Sequence, residues 1–457
     1  MAGPTLPTEI LAGAFGHLSP GHLALISCVY HTWKNVAFPL LHRTVYLCLA
    51  THLDEFVQRV RTEEERNPFS IATYLKGLVL DIEYVETHAD ELIEEPDINK
   101  LHGIIPRLTQ LTFLAWNLFF VPENPETFRL FQTQCPKLNS IDLWVKRRVD
   151  FQSVRLFEFK NLSCLALSIC DLPPSFDEDQ SAPLASLLAR CTQLSSIILN
   201  FDHDEWKYSP TVLVAALGDH FVFPDLQRFY VQGCSDPEWM SFFDNPEPHP
   251  LRQFFYRHPG IEDLALGYVH EYTYCKEIDP MRLIQLFPSL KYFEGPAFLF
   301  KPLVLSPLAE EIEKLIIVDN PLYKDSLIDL GGRSVRLPKL RKFGIWADEI
   351  EEGILVNTLR AVVNAADQLE EIEIHPDIDD TNYEEVFSLI TQVQGLRSVT
   401  LDQSILSAAA EDDEELEWDA FALILRRACP RLQTIYQPIE KMNKDNREKV
   451  WELHDDA

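Results

Sequence analysis

The chain has 457 residues, 46% of them hydrophobic and 24% charged, with a formal net charge of −31 at pH 7. This composition supplies apolar material for a large core. The charge excludes nucleic-acid phosphates and anionic membranes as general partners, since both require a basic surface, and it favours basic proteins.

The start, "MAGPTLPTEI", has no basic segment followed by an apolar core, so no signal peptide is expected. The longest strongly apolar stretch, Leu111 to Val121, is too short for a bilayer span of about 20 residues. Nine cysteines without dense spacing argue against a secreted disulfide framework. The expected setting is soluble, cytoplasmic and/or nuclear. Between Leu6 and Leu47 the pattern predicts three helices. Ile10, Leu11, Phe15 and Leu18 mark the first, and "SPGH" at Ser19 breaks it. Leu23, Leu25, Ile26 and Val29 mark the second, and Trp33 to Leu41 the third. A block of about 40 residues is too small to stand well alone and needs a partner or the domain that follows.

From Leu75 a different pattern takes over: an apolar anchor, then apolar residues three and five positions later. Anchors fall at Leu75, Leu108, Leu138, Leu162, Leu194, Leu226, Ile261, Leu290, Ile312, Leu340, Leu369, Leu396 and Leu432. Their mean period is about 30 residues, in the range of stacked repeats. Proline stands two residues before seven of these anchors, at Pro106, Pro136, Pro224, Pro259, Pro288, Pro338 and Pro430. Helical stretches such as Ala182 to Cys191 and Asp419 to Cys429 lie just upstream. Proline cannot continue a helix and biases its predecessor toward extended backbone, so it marks the passage from helix end to strand start. The alternation after each anchor reads as a short half-buried strand. "CPKLNSIDLWV" from Cys135 and "CPRLQTIYQPI" from Cys429 are two copies of this phrase. Gly295 and Gln437 occupy the third apolar position in their units.

The unit resembles an irregular leucine-rich repeat with helical connectors, over roughly Ala72 to Pro438. The N-terminal segment resembles an F-box: Leu6-Pro7, Glu9-Ile10-Leu11, Phe15, "HLS", Leu23, Val29 and Trp33. "PLLHRTVYL" after it makes the chain most like fungal F-box proteins with leucine-rich repeats. This resemblance implies an α/β fold, with a three-helix F-box at 1–47 and a linker or first solenoid helix at 48–71. An irregular leucine-rich-repeat solenoid of about 13 units follows at 72–440, built as a parallel strand ladder with helical connectors, then a C-terminal cap or tail at 441–457. It also implies docking onto a Skp-type adaptor, and through it a cullin, by Leu6, Pro7, Ile10, Leu11, Leu18, Leu23, Val29 and Trp33. His22 stands where the family usually has an acidic residue, and Tyr30-His31 replaces its usual Cys-Arg. The plainer alternative for the segment is a helical lid on the repeats.

Elsewhere no chemistry is marked. There is no phosphate-cradling glycine loop ("GGR" at Gly331 reads as a turn), no HExxH and no paired CxxC. His17, His22, Cys28 and His31 lie close together, but the helical pattern explains them without a metal. Cys164, Cys170 and Cys191 read as small buried fillers. The acidic run Glu411 to Asp419 reads as a solvated insertion whose last residue caps a helix. The segment Ser235 to Leu251 carries Trp239, Phe242 and Phe243 and is expected to pack across the repeats or to reach a ligand.

No cofactor, metal or catalytic residue is expected. In this fold the residues flanking each buried pair point to the concave face: Asp142, Trp144, Tyr230, Tyr292, Glu294, Trp346, Glu371, Glu373, Asp402 and Tyr436. Aromatics mixed with carboxylates suit a client segment carrying Lys or Arg. The expected function is substrate recognition within a Skp–cullin–F-box ubiquitin ligase. The alternative is a leucine-rich-repeat scaffold that works without a ligase.

Overall fold

The structure, a computed structural model, describes residues 6–64, 67–82, 92–118, 120–145, 155–169, 178–201, 209–233, 238–244, 247–267, 277–319, 335–347, 353–376, 383–401, 418–438 and 447–452. The chain divides into two compact units, Met1–Trp206 with Phe223–Asp225, and Lys207–Val222 with Leu226–Ala457. No helix among the described residues is long and apolar enough to cross a membrane.

The first unit opens with α1 (Thr8–Phe15), α2 (Pro20–Ser27) and α3 (His31–Leu41). Ser19 caps α2 by accepting the His22 N–H, and Pro20 takes the first helical position, where no N–H is needed. Phe15, Leu23, Val36 and Ala37 form the core of the three helices. The block does not stand alone. Phe38 of α3 meets Phe69 at 5.3 Å and Tyr74 at 6.0 Å, and the Lys34 ammonium lies 4.6 Å above the Phe69 ring.

Directly after α3 the chain enters β1 (Thr44–Leu47), which pairs in parallel with β2 (Gly77–Asp81). Gly77 allows this approach, since a Cβ there would come within 3.0 Å of the Thr44 side chain. Between the two strands, α4 (Ala50–Thr62) buries Leu53, Phe56, Val57 and Val60. β3 (Phe113–Asn117), β4 (Ser140–Val145), β5 (Cys164–Ile169) and β6 (Ser196–Phe201) continue the parallel ladder in sequence order.

The rungs are joined by a shared backbone device. The Lys76 carbonyl accepts the N–H groups of Thr112 and Phe113; that of Thr112 accepts Asn139 and Ser140. The Asn139 carbonyl accepts Ser163 and Cys164, and that of Ser163 accepts Ser195 and Ser196. Each carbonyl has two lone pairs, so one oxygen serves two donors of the next rung. Behind this row lie the inward pairs Leu78/Leu80, Leu114/Trp116, Ile141/Leu143, Leu165/Leu167 and Ile197/Leu199, none more than 2% exposed. Each such side chain contributes roughly 1.5–3 kcal/mol of apolar burial. Connector helices cover them; Trp116 packs on Phe128 of the helix Glu126–Gln134 at 5.2 Å.

One register departs from the sequence reading. Leu78 pairs with Leu114 and Leu80 with Trp116, so the second anchor is Leu111 rather than Leu108. The 3₁₀ turn Ile105–Arg107 and the turn after it insert three residues between the proline and the true anchor. Phe113, expected inward, is half-buried at the strand start.

In the second unit β7 (Arg228–Gly233), β8 (Asp263–Leu266), β9 (Tyr292–Gly295), β10 (Lys314–Asp319) and β11 (Lys342–Ala347) are parallel neighbours in that order. β12 (Glu371–Pro376), β13 (Ser398–Leu401) and β14 (Thr434–Pro438) extend the ladder, and β15 (Arg447–Glu452) closes its edge antiparallel. The same two-donor carbonyl passes along Gln227, Glu262, Lys291, Glu313, Arg341, Glu370 and Arg397. Six of these alternate in sign, and Lys291 pairs with Glu262 at 2.9 Å and Arg397 with Glu370 at 3.6 Å. Opposite charges on neighbouring strands favour the pairing, and these exposed pairs are screened by solvent.

Gly295 fits its position because the Phe293 ring already fills the space: an added Cβ would lie 2.8 Å from that ring. The segment rich in aromatics packs inward, as the helix Trp239–Asp244. Its Trp239, Phe242 and Phe243 are buried, with Trp239 5.2 Å from Phe298. The helix Glu178–Arg190 begins earlier than read from sequence and runs through Pro183. Asp419 lies inside the helix Trp418–Ala428 rather than capping it. Gly331–Arg333, Cys170 and Glu411–Glu417 lie outside the described residues.

Candidate functional site

Two surfaces bear on function. The first is the N-terminal helical block. Of twelve large hydrophobic side chains exposed among the described residues, five lie between Leu6 and Tyr30: Leu6 60%, Ile10 56%, Leu25 69%, Val29 62% and Tyr30 68%. Helical spacing explains the division. On α2, Leu23 and Ile26 share the face that meets the block's own core, while Leu25 and then Val29, four residues on, share another.

The expected adaptor residues therefore separate. Leu6, Pro7, Ile10 and Val29 are exposed; Leu11, Leu18 and Trp33 are half-buried against the block's core. Trp33 meets Phe15 edge-on at 5.9 Å. Leu23 is a correction: it is 6% exposed and belongs to the core, so its side chain does not face outward. Leu25 and Tyr30 are exposed in addition, and helical periodicity would have found the former. At the departures from the F-box pattern, His22 Nδ1 is 2.8 Å from the Ser19 hydroxyl, so it supports the α2 cap.

The second surface is the face of the strands opposite the inward pairs. In the first unit its middle row is Tyr46, Val79, Ala115, Asp142, Ala166 and Ile198, small and apolar apart from Tyr46 and Asp142. Asp142 is half-buried. Trp144, level with Ser168 and Asn200, is 4% exposed, which corrects the expectation that it stands out for a client.

The second unit's middle row is Tyr230, Ala265, Glu294, Ile316, Gly344, Glu373, Thr400 and Tyr436. Glu294 and Glu373 are only 7% and 1% exposed, a second correction: neither is presented to a partner. Each carboxylate is enclosed by a cation on a neighbouring rung. Lys342 reaches Glu373 at 2.6 Å and Glu371 at 3.4 Å, while Lys314 lies 4.0 Å from Glu294, which also accepts Gln232 Nε2 at 2.8 Å. Tyr230 donates its hydroxyl to Asp263 at 2.7 Å, and Asp263 accepts Arg228 at 2.9 Å. Burial, then the Asp263 carboxylate, raises the Tyr230 hydroxyl above the usual phenol range. Tyr292 donates to Glu313 at 3.2 Å; burial and that carboxylate raise it likewise.

Trp346 stacks on His375 of the next strand, with ring centres 4.4 Å apart. Gly344 beside it sits in a tight space, since a Cβ would meet Ile316 at 3.2 Å and the Trp346 indole nitrogen at 3.4 Å. Tyr230, Tyr292, Trp346, Glu371 and Tyr436 are half-buried and partly open to solvent. Asp402 lies outside the described residues. Sequence reasoning missed Arg228, Lys314, Lys342 and His375 as members of this face. The signal was present, because they occupy the same alternating positions as the residues that were chosen.

No group of three or more histidine, cysteine or acidic side chains that could hold a metal occurs among the described residues. Cys135, Cys191 and Cys429 are buried at helix ends, with each sulfur 3.7–3.8 Å from a carbonyl of the preceding repeat (Ile105, Phe159 and Ile390). Burial pushes the Cys135 thiol up to about 12, which holds it protonated at neutral pH.

Compared with known proteins, the chain matches no family model and no curated protein. Among solved structures it is similar to the Rad7 and Elc1 complex of yeast, with 13% identity over 96% of this chain and 91% of that one, at a TM-score of 0.43. It is similar also to the leucine-rich repeat domain of APL1B, with 14% identity over 86% and 89% of the two chains, at a TM-score of 0.23. At these values neither likeness bears on function.

Proposed function

We propose that this protein is the substrate-recognition subunit of a Skp–cullin–F-box-type ubiquitin ligase. The N-terminal helices grip the adaptor, and the strand face holds a client. One observation carries the reading. A block of about 40 residues with F-box spacing leaves Leu6, Ile10, Leu25, Val29 and Tyr30 in water while building its core from other residues of the same helices. Apolar side chains of this size, gathered in one short segment, mark a protein–protein contact. The repeats supply the other half of the reading: the strand face of the first unit offers the half-buried carboxylate of Asp142, and that of the second offers half-exposed aromatics and Glu371. The chain itself carries out no bond chemistry; it raises the local concentration of a client near the transfer machinery.

The test is binding of the purified chain to a recombinant Skp-type adaptor. Ile10→Asp with Val29→Asp should weaken it by at least thirtyfold, the loss of a typical contact hot spot. The double variant should keep its circular-dichroism spectrum, since neither residue is in the core. Leu11→Ala is the poorer probe, because Leu11 packs against that core. Undiminished binding by the double variant would remove the F-box assignment.

A further inference from the structure

A cleft of about 790 Å³ in the first unit departs from the acidity of the chain. It lies where the strands begin, between the end of the helix Glu126–Gln134, the turn leading to β4, the turn leading to β5, and the end of the helix Glu178–Arg190. Arg129, Lys137, Arg155, Lys160 and Arg190 line it, with Glu158 as the one carboxylate of the lining. All five cations are exposed. In a protein of net charge −31, with 71 acidic residues against 40 basic ones, this is a local reversal of sign.

The pairs within the cleft leave that reversal in place. Arg129 pairs with Glu126 just outside it, and Arg155 lies 4.0 Å from Glu158. Exposed pairs of this kind are worth little in water and yield to a better anion. Lys137 leans on the neutral Gln110 amide. Arg190 reaches the Ser186 hydroxyl at 2.7 Å. Helix ends attract cations, which accounts for Arg190 but not for Lys137, Arg155 or Lys160. The walls are also tied together. Gln132 Nε2 donates to the Arg155 carbonyl at 2.9 Å, the Cys191 sulfur lies 3.8 Å from the Phe159 carbonyl, and Asn161 holds a left-handed φ of +60°. The cations thus stand on a fixed frame.

We infer that this cleft binds a ligand bearing phosphate groups. Its volume falls in the range of ligand sites, about 300–1,000 Å³. Three guanidinium groups offer forked donors that match phosphate oxygens in pairs. An anion that approaches against the overall negative field must carry concentrated charge. A phosphate monoester carries about −1.5 to −2 at pH 7, against −1 for a carboxylate. The phosphate can belong to a small molecule or to a phosphorylated protein segment. The site lies apart from the adaptor-facing helices and does not depend on that reading.

The test is titration calorimetry on the full-length protein with inorganic pyrophosphate and with a phosphoserine peptide beside its unphosphorylated twin. At least one phosphate-bearing probe should bind, more weakly as salt rises. Lys137→Glu with Lys160→Glu should weaken it at least tenfold with no change in thermal melting, and Lys137→Gln with Lys160→Gln by a smaller factor. Preference for pyrophosphate points to a small-molecule ligand, and preference for the phosphopeptide to a protein segment. Absence of binding by both probes at millimolar concentration, or equal binding by the charge-reversed variant, would overturn the assignment. Adaptor binding by that variant should be unchanged, so the two readings fail separately.

Discussion

The two units solve the same structural problem with different chemistry. At the position that starts each rung, the first unit uses Lys76 and then Thr112, Asn139, Ser163 and Ser195. Three of these turn their hydroxyls back onto the carbonyl that already serves the rung, Thr112 at 3.0 Å and Ser163 and Ser195 at 3.1 Å. The second unit uses Glu262, Lys291, Glu313, Arg341, Glu370 and Arg397. After Lys76, one edge is a neutral row rich in hydroxyls, and the other is an alternating ion row. The backbone device beneath is identical, so the fold rests on the apolar pairs and the shared carbonyl, and the edge is free to vary. Five cations of the first unit gather around one cleft, whereas Arg228, Lys314 and Lys342 of the second are paired along the strands.

If the cores of the two units are equivalent, truncating an inward residue should cost about the same in each. Leu165→Ala in the first and Leu315→Ala in the second should each lose about 2–5 kcal/mol, read as reduced amide-exchange protection in that unit. A cost below about 1 kcal/mol at either site would mean that the ladder there does not depend on its apolar pair.

The helix-end position offers a sharper contrast. The first unit places Cys135 and Cys191 there, and the second places His258 as well as Cys429. His258 is 3% exposed, with Nδ1 2.7 Å from the Phe254 carbonyl, and burial lowers its pKa to about 4. The unfolded value is near 6.5. The neutral ring is favoured in the folded state, so its stability is whole above pH 6.5 and is lost as pH falls from there toward 4. The loss is on the order of 3 kcal/mol. His258→Cys, which uses a residue the ladder already accepts at this position, should flatten thermal stability between those pH values. An unchanged slope would place the acid sensitivity elsewhere.

The smallest effects separate the two edges. Arg341→Glu puts a third carboxylate between Glu313 and Glu370, at a cost of about 1–2 kcal/mol that shrinks in high salt. Ser163→Ala removes one hydroxyl contact, costing about 0.5–1.5 kcal/mol independently of salt. Equal salt responses in denaturant unfolding would erase the distinction between the rows.

Much of the ladder was legible in the sequence because proline and the spaced apolar pair act locally. Pro136 and Pro430 stand just past a helix end, where proline favours the extended backbone that follows, and Leu165 with Leu167 must face inward once the strand forms. Leu111 was misread because Pro106 precedes a further turn, which nothing in the local pattern distinguishes from an ordinary strand entry. The face residues were harder. Alternation says which side Glu294 and Glu373 take, but their burial depends on cations of adjacent rungs, Lys314 on the strand after Glu294 and Lys342 on the strand before Glu373. Leu23 illustrates the same limit in the helical block: an apolar residue at a motif position reads alike whether it serves a partner or its own core. The basic cleft was invisible for a related reason, since Arg129, Lys137, Arg155, Lys160 and Arg190 are scattered over more than 60 positions and only the stacking of repeats brings them together.

The exposed apolar residues of the first helices are the feature on which the proposed function turns. Mixing the purified protein with a Skp-type adaptor and resolving the mixture by size-exclusion chromatography tests them directly. A one-to-one complex that forms with the native chain and dissolves with Ile10→Asp and Val29→Asp is the expected result. A native chain that elutes apart from the adaptor, or a double variant that still co-elutes, would contradict it.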